Sequence, residues 1–139
     1  MSQIGIEKEK IDTPALLIDL VRMEKNIATM GNFFKERKAS LMVHTKVHRT
    51  PMLAHKQIAS GAKGICCQKV RQAEVMAAAG IRYIMVTNQI VTPSKIDRLV
   101  NLAKYANVSV PVDDPRNADD LSKAALREGV KLNVLVDVH

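Results

Sequence analysis

Six apolar runs, each closing on a polar residue, alternate along this chain with helical patterns, and this alternation restricts the fold more than any other feature. The closing residues are Asp19, Lys46, Gln68, Asn88, Asp113 and Asp137. Successive intervals of 27, 22, 20, 25 and 24 residues each hold one strand–helix unit. Strands are expected at 15–18, 41–43, 64–68, 83–88, 108–112 and 132–138. Pro14 stands at the start of the first, where proline is tolerated, and Pro111 makes the fifth the weakest. Met23, Ile27, Met30, Phe33 and Phe34 recur at helical spacing after the first strand. Thr50-Pro51 and Thr92-Pro93 open further helices, with proline at the first helical position. Gly61, Gly80 and Gly129 stop helices.

Regular alternation predicts a parallel sheet covered by helices, and the near-continuous apolar character of the strands fits burial on both faces. The polar closing residues then collect on one rim, the carboxyl-end rim where α/β folds place their sites. An eight-stranded barrel typically needs about 250 residues. The 139-residue chain is therefore either an open doubly wound sheet or the front part of a longer barrel. The run Leu135-Val136-Asp137-Val138-His139, with no closing helix after it, favours the second. The fold class expected is α/β, a partial TIM-type (β/α) barrel of about six parallel strands with intervening helices. Open edges would then lie at 15–18 and 132–138, both apolar and nearly uncharged, so residues 1–139 alone are expected to associate rather than stand as a domain.

One strand end carries a denser cluster than the others. After Leu41-Met42-Val43 come His44, Lys46, His48 and Arg49, and then Thr50-Pro51. Alternation along a strand puts Met42, His44 and Lys46 on one face and Leu41, Val43 and Thr45 on the other. A lysine at a strand's carboxyl end, crowded by His48 and Arg49, is expected to release its proton more easily than a free lysine, as Schiff-base lysines do. Residue type and position alone do not separate this from a surface lysine in a basic loop. Gln68, at the end of the next strand, is either part of the same site or a strand-end amide bonded to backbone. His44 and His48 are four apart on a strand and turn, not on a helix, so no metal site is expected from them.

The formal charge of +7 raises the question of nucleic acid. The cations are scattered over helix faces and loops, and two Phe, two Tyr and no Trp leave little for base stacking. Neither nucleic acid nor membrane is expected as a partner, since no apolar run approaches a membrane span. The stretch from Met1 to Lys10 is polar, without the apolar core of a secretion signal, which makes the cytoplasm the expected location. Cys66 and Cys67 are adjacent, point to opposite faces and read as reduced, buried, small apolar residues. No G-x-G-x-x-G, Walker A or G-x-S-x-G motif is present.

Asp12-Thr13-Pro14-Ala15-Leu16, the segment from His44 to Pro51, and Gly64-Ile65-Cys66-Cys67-Gln68-Lys69 with Ala73-Glu74 resemble the D-threonine aldolase and D-serine dehydratase-like family. Thr87-Asn88 and Val112-Asp113-Asp114 fit the same pattern. That family groups with alanine racemase among pyridoxal-phosphate enzymes on a TIM-type barrel. The resemblance implies that Lys46 carries pyridoxal 5'-phosphate, with His44 and Gln68 in the cofactor's neighbourhood. It implies a lyase acting on a D-3-hydroxy amino acid, first as a D-threonine aldolase giving glycine and an aldehyde. Dehydration of D-serine or D-3-hydroxyaspartate is the alternative, and a non-catalytic pyridoxal-phosphate carrier a further one. It also implies that this chain is the N-terminal part of the barrel. The remaining barrel, a C-terminal β-domain with a divalent metal site, and homodimerisation belong to the full-length protein.

Overall fold

The computed structural model describes residues 5–138. The first four residues of the polar N-terminal stretch, and His139 of the final run, lie outside the described residues. After a short 3-10 turn at Lys8–Lys10, the elements are α1 (Leu20–Lys35), β1 (Met42–His44), α2 (Pro51–Ala59), β2 (Gly64–Cys67), α3 (Val70–Ala78), β3 (Tyr83–Val86), α4 (Pro93–Leu102), β4 (Asn107–Val112), α5 (Pro115–Glu128) and β5 (Asn133–Val136). All five strands are parallel and lie in chain order, β1-β2-β3-β4-β5. A doubly wound sheet reverses its strand order at a switch point. Stepwise order without reversal, with the same crossover hand throughout as parallel strands favour, instead keeps the helices on one face, as in a barrel wall.

Side-chain burial shows the same one-sided arrangement. Registered partners Val43, Ile65, Ile84 and Val108, with Cys67, Val86 and Val110, point into the helix layer. There they meet Ala54 of α2, Val70, Ala73 and Met76 of α3, Ile96, Leu99 and Val100 of α4, and Leu121 and Ala124 of α5 in one apolar cluster. The opposite face carries Met42, His44, Cys66, Met85, Ser109 and Leu135, none of them in that cluster. Sequence reasoning expected burial on both faces, and among the described residues helices cover only one. α1 is the least embedded helix, with Gly31 its one buried residue, placed against Ser60 at the end of α2.

The first expected strand is the main correction. Residues 15–18 form no strand, and Leu16, Leu17 and Ile18 are exposed. An apolar run after a proline has strand composition, but a strand also needs a neighbour for its N–H and C=O groups, and no described strand pairs with this run. Asp19, expected to close it, instead caps α1, its side chain accepting the Arg22 N–H at 3.0 Å. Pro111 weakens nothing: β4 is the longest strand, at six residues. The β3–β4 pairing ends at Met85 with Ser109, so the missing N–H of Pro111 interrupts no bond to β3, while on the other side Pro111 stays in register with Leu135 of β5. α5 begins at Pro115, two residues before the expected start at Asn117, with Asp114 as its cap.

Both cysteines are free and buried. Cys67 lies in the helix layer near the Thr45 hydroxyl, 3.4 Å away, while Cys66 faces the other side next to His44 in register. Burial pushes both thiols above their ordinary value of 9.0. Because folding holds them protonated, their contribution to stability is fully present below pH 9.0 and is lost as pH rises beyond it. A thiol reagent at pH 7.5 is expected to label the native protein at least about 100-fold more slowly than the urea-unfolded protein. Labelling at equal rates would place the thiols at the surface.

Candidate active site

Lys46 stands two residues past β1, in the turn that starts at Thr45, and its side chain is exposed. Thr45 anchors this turn. It is buried, its N–H donates to the Cys66 carbonyl at 2.9 Å, and its hydroxyl donates to the same carbonyl at 3.0 Å. The Arg49 N–H donates to the Thr45 carbonyl at 2.7 Å and closes the turn. Arg49 takes a left-handed φ of 52°, unusual for a residue other than glycine, so the turn holds backbone strain beside Lys46.

Two histidines fix the chain on either side of Lys46 in the same way. The His44 Nδ1 accepts the Lys46 backbone N–H at 3.1 Å, and the His48 Nδ1 accepts the Thr50 N–H at 3.0 Å. A ring nitrogen that accepts does not carry the hydrogen, which therefore sits on Nε2 in both rings. The His44 Nε2–H points to the Thr87 hydroxyl at 3.4 Å, and the His48 Nε2–H to Gln57 Oε1 at 3.2 Å. The Thr87 hydroxyl in turn donates to the Cys67 carbonyl at 3.4 Å. A connected path thus runs from the backbone of Lys46 through His44 and Thr87 to the end of β2. The Lys46 amine has no hydrogen-bond or ion-pair partner among the described residues, which leaves it available for covalent chemistry.

The candidate residues divide into two groups. His44 and Lys46 are joined directly. Gln68 follows β2 on the same rim, in a cavity of ≈ 410 Å³ lined by Lys69, Arg71, Asn88 and Lys95 among others, and Lys69 and Arg71 also line a neighbouring cavity with Thr45 and Arg49 of the Lys46 turn. At the far end of this rim, Asp137 accepts from Gln89 Nε2 at 2.9 Å, and Asp114 is held below its ordinary pKa by the Arg116 guanidinium. Thr87 is the residue that strand reasoning passed over as one more strand position. Its signal was available: a hydroxyl at the carboxyl end of β3, one strand beyond Cys66 and two beyond His44. No three His, Cys, Asp or Glu side chains gather into a metal-sized group among the described residues. No described helix is long and apolar enough to cross a membrane.

Known proteins are similar to this chain in sequence and in fold. A D-threonine aldolase of Arthrobacter sp. is 39% identical over 137 residues, covering 99% of this chain and 36% of the relative. A 3-hydroxy-D-aspartate aldolase of Paracoccus denitrificans is 40% identical over 136 residues, covering 96% and 35%. The crystal structure of D-threonine aldolase from Filomicrobium marinum superposes with a TM-score of 0.90 at 44% identity, over 92% of this chain and 35% of that one. The chain thus spans about a third of the length of the relatives it matches. The family described as alanine racemase, N-terminal domain, matches residues 18–139, and with its one-sided parallel sheet and rim lysine the chain belongs to that family.

Proposed function

We propose that this chain is the pyridoxal-phosphate-binding barrel part of a lyase that cleaves a D-3-hydroxy amino acid to glycine and an aldehyde, as a D-threonine aldolase does. The observation that carries the reading is the unpartnered Lys46 amine at the carboxyl-end rim, its backbone fixed by His44 and Thr45. The names of the relatives, one a D-threonine aldolase and one a 3-hydroxy-D-aspartate aldolase, support the same reaction class.

The residues present fit the cofactor at its point of attachment. Lys46 offers a free primary amine, and the sheet face beside it, with Cys66, Met85 and Ser109, is covered by no described helix. When bound, the cofactor supplies the electron sink for breaking the bond between the α and β carbons. Lys46 holds it covalently. His44 is the positioning residue: its bond to the Lys46 N–H sets where the lysine stem leaves the backbone, and Thr87 fixes the ring in turn. Thr45 keeps the turn on the sheet. A divalent metal, a homodimer and a cytoplasmic location belong to the same proposal for the whole protein.

Assaying the complete protein with D-threonine, D-3-hydroxyaspartate and D-serine tests the reaction. Aldehyde release without ammonia is the expected result. Ammonia with a keto acid would replace the aldolase by a dehydratase, and cofactor binding without turnover would replace it by a carrier. Borohydride reduction is expected to fix the cofactor to the Lys46 peptide, and a label on Lys63 or Lys69 would overturn the site.

A further inference from the structure

The connections that lead from a helix into a strand all arrive at the amino end of the sheet, opposite the rim that carries Lys46. Each of them carries a cation. Counted from the last residue of each helix, they hold Lys35, Arg37 and Lys38 before β1, Lys63 before β2, Arg82 before β3, Lys104 before β4 and Lys131 before β5. Their only carboxylates are Glu36 and Glu128, a balance of +5. In the connections that leave the strands, Lys46, Arg49 and Lys69 are offset by Asp113, Asp114 and Asp137, a balance of zero. Most of the formal charge of +7 therefore sits on the amino-end face. Along the sequence these cations run from residue 35 to residue 131 and read as scattered. Parallel strands in chain order bring them to one edge.

Backbone bonds tie neighbouring connections together. The Lys63 N–H donates to the Leu41 carbonyl at 2.9 Å, and the Asn107 N–H to the Arg82 carbonyl at 2.7 Å. At the spacing of paired strands the row spans roughly 19 Å. Lys35, Lys38, Lys63 and Lys131 are exposed, with no ion-pair or side-chain hydrogen-bond partner among the described residues. The two Phe and two Tyr collect at the same end: Phe33 and Phe34 near the end of α1, Tyr83 at the start of β3, and Tyr105 between α4 and β4. Tyr105 is 69% exposed, and its carbonyl accepts from Arg82 Nη1 at 3.0 Å. The Arg37 guanidinium lies 3.5 Å over the Phe33 ring. Two concavities open here, one of ≈ 470 Å³ with Arg82 and Tyr105 in its lining and one of ≈ 570 Å³ with Phe34, Lys35, Arg37 and Lys63. One cation per helix end is what the helix dipole favours. Three at the end of α1, with aromatic rings beside them, exceed what capping requires.

We propose that the amino-end face is a docking surface for single-stranded nucleic acid. The row of cations tracks the phosphates, and Tyr105 and the guanidinium stacked on Phe33 offer planes to the bases. An acidic polypeptide would match the charge but give Tyr105 no planar partner. An anionic membrane would match it too, but these connections carry no exposed aliphatic side chain to insert. The surface lies at the other end of the strands from Lys46 and stands whether or not that lysine carries the cofactor.

The test is fluorescence anisotropy of the complete protein with a labelled oligouridylate of about 12 nucleotides, at about 50 mM salt and upward. Saturable binding is expected, with log K falling against log salt at a slope steeper than about −2, the value for three phosphates on a single strand. Lys63→Gln, Arg82→Gln and Lys131→Gln together should weaken binding at least about tenfold and flatten that slope. Lys10→Gln, Lys25→Gln and Lys123→Gln together remove the same charge away from this face and should leave binding nearly unchanged. Tyr105→Ala should weaken the oligouridylate at least about fivefold and leave inorganic polyphosphate, which has no bases, unaffected. Thermal melts check each fold. If the first triple variant is impaired in folding, Lys63→Arg with Arg82→Lys and Lys131→Arg should retain the affinity, and Tyr105→Ala then decides. No saturable binding, equal loss in the two glutamine triples, or a Tyr105→Ala protein that binds as wild type would overturn the proposal. Tighter binding of polyglutamate, or of phosphatidylglycerol vesicles, would also overturn it and reassign the face to an acidic protein or to a membrane.

Discussion

Under the proposed function, replacing Lys46 by alanine in the complete protein is expected to lower D-threonine cleavage by roughly 10³-fold or more and to abolish the borohydride-fixed cofactor, while leaving the thermal midpoint nearly unchanged. The separation of the two effects comes from where Lys46 lies. Its side chain is exposed and bonded to nothing described, so the fold loses no contact when it is truncated. The turn survives through backbone and neighbour: Thr45 to Cys66, Arg49 to Thr45, and the Lys46 N–H to His44, which alanine retains. Lys46→Arg keeps the charge but not a nucleophilic amine, and should fail as completely as alanine. Lys63→Ala, an exposed lysine at the opposite end of β2, should be indistinguishable from wild type. Substantial activity in Lys46→Ala would remove the lysine from the chemistry.

Much of this was legible in the sequence, for identifiable reasons. Hydrophobic period and proline or glycine punctuation locate α1 to α5 and β1 to β5 because each follows from local composition. The stretch 15–18 misled because strand composition says nothing about whether a neighbour exists to pair with it. Pro111 misled in the other direction, since the cost of a missing N–H depends on whether the adjacent ladder reaches that residue. At the site, Lys46 and Gln68 were placed on the correct rim by the spacing of polar strand ends. The grouping was not legible. Hydrogen bonds join Lys46 to His44 and, through it, to Thr87, whereas Gln68, at the end of the next strand, lines a rim cavity with Asn88, Lys69, Arg71 and Lys95. Such grouping depends on which way side chains leave a rim, which spacing does not encode. His48 had been read as crowding Lys46, and the structure engages its ring with Thr50 and Gln57.

The second large effect is on stability, at Gly64. This glycine opens β2 between Met42 of β1 and the Tyr83 end of β3. A Cβ there would lie 2.4 Å from the Tyr83 carbonyl oxygen and 2.6 Å from the Tyr83 Cβ. Neither atom is the far end of a flexible side chain, so relief requires β2 and β3 to move apart. Those strands carry Ile65, Cys67, Ile84 and Val86, all essentially inaccessible in the core, and separating them disturbs the whole helix-facing layer. Gly64→Ala is therefore expected to cost about 3 kcal/mol, at the upper end of overpacking substitutions. Gly129 is the useful comparison. It meets nothing within 4 Å but holds a left-handed φ of 64° at the end of α5, so Gly129→Ala carries only conformational strain, about 1 kcal/mol. Gly31→Ala tests a third case: its Cβ would fall 2.0 Å from the Ser60 carbonyl, but α1 buries nothing else and can lift away. Its cost is expected to fall between the other two, with α1 exchanging its amide hydrogens faster than the sheet. Urea denaturation of the three variants gives the order directly. A Gly64→Ala protein as stable as Gly129→Ala would mean that β2 and β3 are not as close at this point as the structure places them.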